Sequence, residues 1–140
     1  LEASRAADIY IGASAVGDYR PARVSALKLK KNAGAPLSLQ LEENPDILAS
    51  LAAQSGRPFL VGFAAETHDV ASYARGKLRS KGLDMIAANQ VGDGLGFEVA
   101  ENALTLYWAD GELALPRAAK SELARQLVAQ VAERYRAARR

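Results

Sequence analysis

Short runs of β-branched and small apolar residues recur along this chain, separated by stretches in which apolar residues return every three or four positions. Ile9 to Val16, Phe59 to Ala64 and Met85 to Ala88 are continuous apolar or small runs without polar alternation, the pattern of strands buried on both faces. Between them the period changes. Asn44 is a good N-cap residue and Pro45 suits the first position of a helix, so the pattern predicts a helix over about 45–54, ended by Gly56. A second helix is expected over about 69–81, with Gly82 in the C-cap position. A third, over 119–138, carries Leu123, Leu127, Val131 and Tyr135 four apart on one stripe.

Period two appears where Leu37, Leu39 and Leu41 alternate with Ser38, Gln40 and Glu42. That reads as a half-exposed strand, paired antiparallel with 27–31 in a ribbon. Leu104 to Trp108 and Glu112 to Leu115 flank Asp110-Gly111, a dipeptide expected to supply the positive φ of a tight hairpin turn. Residues 1–7 read as the tail of a helix. Buried strands separated by helices imply an α/β domain: a mostly parallel, Rossmann-like sheet with helices on both faces.

Composition narrows the chemistry. The 140 residues are 49% hydrophobic and 24% charged, enough for one globular domain with a real core. A formal net charge of +2 is not that of a nucleic-acid polyelectrolyte, so no nucleic-acid partner is expected. The chain has no Cys, which excludes disulfides, thiolate metal sites and a cysteine nucleophile. No apolar run approaches the roughly 18 residues needed to span a bilayer. A cytoplasmic protein without a membrane partner is the expectation, and the opening Leu-Glu-Ala-Ser, without an initiator Met, reads as part of a fragment of something longer.

Open parallel sheets bind ligands beyond the carboxyl ends of their strands. Here those ends are Gly12 to Asp18, Gly62 to Thr67 and Ala88 to Gln90, small residues tipped with carboxylates and amides. The same small residues also serve close helix–sheet packing. Lys28, Lys30 and Lys31 would guard a ribbon edge or meet an anion. Lys77 and Lys81 share one helix face, either solvated or aimed at phosphate groups. Neither GxxxxGK[ST] nor GxGxxG is present, which weighs against a nicotinamide-dependent reductase. His68, the one histidine, reads as a helix-start residue rather than a catalyst, and the arginines at the C-terminus as complements to a helix dipole.

The blocks "ASAVGDYRP", "LKLKKNAG", "LEENPDIL", "VGFAAET", "ARGKLRSKGLDMIAANQV" and "NALTLYWADG" stand in the order and spacing of another known family. From residue 8 onward the chain resembles phosphopantothenate–cysteine ligase, the C-terminal half of the bacterial bifunctional coenzyme A biosynthesis protein. That resemblance implies an enzyme that uses CTP to activate 4′-phosphopantothenate as an acyl-cytidylate, which cysteine then converts to an amide. It implies a homodimer joined partly by a protruding β-ribbon, here residues 25–42.

Position by position, the resemblance places Gly12, Ala13 and Ser14 at strand-end backbone against the nucleotide. It puts Asp18 at the nucleotide or its Mg²⁺, and Lys28 at the catalytic flap lysine. Pro45, Asp46, Ile47 and Leu48 fall at the helix start that reads cytosine, Phe63 in the base pocket, and Lys77 and Lys81 at paired phosphate contacts. FMN would belong only to a decarboxylase half outside these residues. Two departures stand out: the family's N-terminal Gly-rich segment with its Asn is not found here, and Gly17 replaces a more typical Ala before Asp18. The alternative from another class is a non-catalytic nucleotide-binding or dimerisation module on the same frame.

Overall fold

A computed structural model describes residues 4, 6–30, 36–92 and 100–139. In chain order the elements are β1 (Ile9–Ile11), β2 (Tyr19–Pro21), β3 (Leu41–Glu43), α1 (Ile47–Ala52) and β4 (Phe59–Glu66). Then come α2 (Val70–Ser80), β5 (Met85–Gln90), β6 (Glu101–Trp108), β7 (Gly111–Ala119) and α3 (Lys120–Ala138). Most of the predicted helix end at 1–7, together with Lys31, lies outside the described residues. The chain divides into two compact units, Leu1–Ala13 with Ile47–Arg140, and Ser14–Asp46.

The larger unit is built on a five-stranded sheet in the order β1-β4-β5-β6-β7. β1, β4 and β5 run parallel, and β6 and β7 continue the sheet antiparallel. Alternation along each strand sends side chains to two separate cores. Leu60, Ala64, Ile86 and Ala88 pack under α1 and α2 through Leu51, Ala74 and Leu78. Val61, Met85, Ala87, Leu104, Leu106 and Leu115 pack under α3 through Leu123, Leu127 and Val131. Both faces are therefore covered, which is why β4 and β5 read as nearly continuous apolar runs. Burying each α3 side chain of this stripe contributes about 1.5–3 kcal/mol, so tertiary packing sustains the helix more than propensity does.

Local chemistry sets the ends of α2. Gly82 has φ +62; its N–H donates to the Arg79 carbonyl, and the Leu83 N–H donates to the Leu78 carbonyl at 2.9 Å. This is a Schellman C-cap, as the position of Gly82 in the sequence predicts. Leu83 then enters the same core as Leu78. Just beyond, Asp84 takes a buried backbone donor, accepting from the Leu60 N–H at 2.7 Å and from Arg57 Nη2 at 3.0 Å. That hydrogen bond holds the Arg57 guanidinium proton more tightly than usual.

Several expectations need correction. The first strand does not run over 9–16 but stops at Ile11, where the Ala13 N–H folds back to the Ile11 carbonyl at 3.1 Å. A run of small apolar residues does not by itself distinguish a strand from the turn that follows it. α1 covers 47–52 rather than 45–54, and Asn44 does not cap it. The Asn44 side chain instead donates to the Gly17 carbonyl at 2.7 Å and accepts from Arg20, while its N–H donates to the Asp18 carbonyl. The residue before a proline is also biased away from helix. Gly111 has no positive φ, and the two-residue connection Ala109-Asp110 closes the hairpin instead.

In the smaller unit the predicted pairing of 27–31 with 37–41 is replaced by a ribbon of β2 with β3, in the register Tyr19↔Glu43, Arg20↔Glu42 and Pro21↔Leu41. Arg20 and Glu42, directly opposed, form an ion pair at 2.7 Å. Among the described residues, 28–30 and 36–40 lie in no strand. Leu37 and Leu39 therefore lack the ladder partners that alternation alone predicts, while Leu41 does join β3.

Candidate functional site

The carboxyl ends of the three parallel strands carry one cluster of polar groups in the larger unit. β1 leads into Gly12 and Ala13, β4 ends in Ala65-Glu66 followed by Thr67, and β5 ends in Asn89-Gln90. Register sets Ala65 opposite Asn89 and Glu66 opposite Gln90, and the Val91 N–H donates to the Glu66 carbonyl at 2.9 Å. Gln90 reaches the Thr67 carbonyl, and the Thr67 hydroxyl lies 3.0 Å from His68 Nδ1. His68 precedes α2, as expected, with its ring edge-on to Tyr73.

Gly12 and Leu48 are brought together. A Cβ on Gly12 would stand 3.4 Å from a Leu48 methyl, and Gly62 makes room for Leu83 and the same leucine. The packing role of these glycines is thus directly visible. The Gly12 N–H donates to the Val61 carbonyl at 2.9 Å and the Ala13 N–H to the Ile11 carbonyl. What Gly12 offers a ligand is close backbone approach, since its amide is already engaged.

Ile47 and Leu48 open α1 and pack on the core beneath α1 and α2. Phe63 does not join them. It alternates to the opposite face and packs on the core beneath α3. Lys77, on α2, returns to the strand end, where its Nζ lies 2.7 Å from Glu66 Oε1. Lys81 is the residue after α2 and is half-buried. In the sequence Glu66 stands out only as a strand-tip carboxylate. No spacing rule links it to Lys77, because the two sit on different elements.

The smaller unit carries Ser14, Asp18, Lys28, Pro45 and Asp46, all exposed. Pro45 and Asp46 precede α1 rather than opening it. Among the described residues no group of three or more His, Asp or Glu side chains is arranged to hold a metal. Asp18 offers a single carboxylate. That donor set suits Mg²⁺ only in company with phosphate oxygens, which is how this ion is commonly held. No described helix is long and apolar enough to cross a membrane.

A partly parallel sheet with helices on both faces and polar strand ends defines a Rossmann-like α/β domain. The chain belongs to the family described as DNA/pantothenate metabolism flavoprotein C-terminal domain, whose profile matches residues 1–135. It is 49% identical over 129 residues to the coenzyme A biosynthesis bifunctional protein CoaBC of Vibrio parahaemolyticus, covering 90% of this chain and 32% of that protein. The protein of the same name from Escherichia coli K12 is 46% identical over 132 residues, 91% of this chain and 32% of the relative. This chain therefore spans about a third of the length of these relatives.

Among solved structures, the C-terminal domain of a CoaBC protein superposes with TM-score 0.70 at 35% identity, covering 93% of this chain and 56% of that one. The DNA/pantothenate metabolism flavoprotein of Streptococcus pneumoniae shares the fold at TM-score 0.70 and 18% identity, covering 96% of this chain and 64% of that one.

Proposed function

We propose that this chain forms the CTP-binding part of a phosphopantothenate–cysteine ligase acting in coenzyme A biosynthesis. The observation that carries the reading is the cation at the carboxyl end of the parallel strands, Lys77 beside Glu66, in a chain nearly half identical to CoaBC proteins. A substrate carboxylate attacks the α-phosphorus of CTP and displaces pyrophosphate, giving an acyl-cytidylate. The amine of cysteine then attacks the acyl carbon and releases CMP. The cytidylate is already an activated leaving group, so the larger demand falls on neutralising phosphate charge during the first step. Lys28, Lys77 and Lys81 meet that demand, and the shortage of histidine costs little. Asp18 would hold Mg²⁺ together with the triphosphate, and the ion would supply further charge neutralisation.

Gly12, Ala13 and Ser14 line the approach of the nucleotide. Pro45, Asp46, Ile47 and Leu48 bound the cytosine edge, whereas Phe63, packed beneath α3 on the other face of the sheet, is left out of that wall. The exposed leucines at 37, 39 and 41 are covered by a second copy of the chain. Calorimetric titration tests the base choice. CTP is expected to bind more tightly than ATP, because the segment at 45–48 leaves less room for a purine. Equal affinity would overturn the assignment of those residues. This piece alone is expected to bind CTP and dimerise without completing turnover; a Gly-rich segment carrying the family's Asn encoded before residue 1 favours the ligase, and a different domain there favours the binding-module alternative.

A further inference from the structure

Lys77 does not stand alone at the strand end. Glu66 closes β4, and its backbone is held by pairing with Gln90 and by the Val91 N–H. Its side chain is only 19% exposed, and Oε1 accepts from Lys77 Nζ at 2.7 Å. Lys77 is 44% exposed and rises from a helix anchored in the core through Ala74 and Leu78. The carboxylate is thus fixed at the base of the cation, and any phosphate oxygen reaching Nζ comes close to a like charge. A lysine ammonium has three donors, so the contact leaves it able to hold a second acceptor while part of its field is cancelled.

We propose that Glu66 is a positioning and attenuating partner of Lys77. It holds the ammonium at the carboxyl end of β4 and lowers its affinity for phosphate groups, so that pyrophosphate and simple anions leave readily. The proposal rests on the reading of Lys77 as a phosphate contact of the nucleotide. Two opposing effects decide its sign. Holding a long side chain in place saves rotamer entropy and favours binding, whereas the carboxylate repels the incoming anion. Because Lys77 is already anchored at its base by a rigid helix, the repulsion is the larger effect. Screening by solvent around a half-exposed pair limits it to about three- to tenfold in affinity.

Glu66→Gln separates charge from geometry, because the amide keeps an acceptor for Lys77 and loses only the negative charge. Calorimetric titration of CTP and of pyrophosphate into the wild-type chain, Glu66→Gln, Lys77→Gln and the double variant tests the proposal. Glu66→Gln should bind both ligands about three- to tenfold more tightly, with a steeper dependence on salt, and the gain should vanish in the Lys77→Gln background. A merely structural carboxylate would not produce that coupling. Wild-type binding with an unchanged or weakened Glu66→Gln overturns this proposal alone, as does a gain that persists without Lys77. Wild-type protein that binds neither ligand overturns the nucleotide-site reading and this proposal with it.

Discussion

Gly111 lies against the Trp108 indole: a Cβ at Gly111 would stand 2.6 Å from Cζ2 of that ring. The two residues face each other across the closing pair of the β6–β7 hairpin, and the guanidinium carbon of Arg134 on α3 sits 4.2 Å from the same ring. The glycine is required by the ring and not by the turn. Gly111→Ala should therefore destabilise the fold by about 1–3 kcal/mol, since an indole cannot yield as a flexible side chain does. Trp108 is the only tryptophan, so its emission should shift on the substitution. Unchanged emission and an unchanged urea midpoint would contradict the close contact.

Asp84 stabilises the start of β4 by serving both a buried backbone donor and Arg57. Asp84→Ala leaves the Leu60 N–H without its acceptor and should cost about 2–3 kcal/mol in urea denaturation. Arg57→Ala keeps the Leu60 bond and should cost less, about 1 kcal/mol. The opposite ranking would mean that the ion pair, not the backbone bond, governs this corner.

Tyr135 on α3 donates its hydroxyl to Asp8 at 2.8 Å. Burial and this carboxylate push the phenol above its ordinary value of 10.0, against the opposing pull of Arg139. A folded-state value above the unfolded one means that the contribution is complete below about pH 10 and is lost as pH rises through the folded value. Absorbance titration at 295 nm, wild type minus Tyr135→Phe, should reveal a phenol that ionises above pH 10. A difference curve centred at or below 10 would remove the linkage.

The lysines should separate kinetically in a complete ligase. Lys28→Gln is expected to slow cytidylate formation at saturating CTP, because the exposed Lys28 adds its charge mainly as the transition state forms. Lys77→Gln and Lys81→Gln should raise the CTP concentration needed, since contacts held by α2 and its C-cap act equally in ground and transition states. Each loss is worth about 1.5–3 kcal/mol, toward the lower figure for half-exposed groups. The reverse pattern would leave Lys28 as an exposed surface lysine with no part in the reaction.

Leu37, Leu39 and Leu41 are 72%, 60% and 58% exposed. That much apolar surface on one short segment calls for a cover, and a second copy of the chain is the expected one. Sedimentation at micromolar concentration should give a dimer, and Leu37→Glu with Leu39→Glu should shift it to monomer. A wild-type monomer would exclude this interface.

Long periodic segments were legible from the residues alone. The α3 stripe, the buried runs of β4 and β5, and the Gly82 cap each follow from local pattern, because burial on a helix or a central strand imposes its own period. The same holds for the strand-end rule that located Gly12, Ala13 and the tips of β4 and β5. Tertiary structure decided what local pattern leaves open. β1 ends at Ile11 because its chain folds back there, and Asn44 is drawn from capping by Gly17 and Arg20, distant in sequence. The ribbon register moved to β2 and β3, because alternation gives each strand a face but not a partner. Glu66 meets Lys77, and Phe63 turns away from Leu48, only once the sheet assigns each residue a face. Pairings between elements depend on the packed arrangement, and no one-dimensional period encodes them.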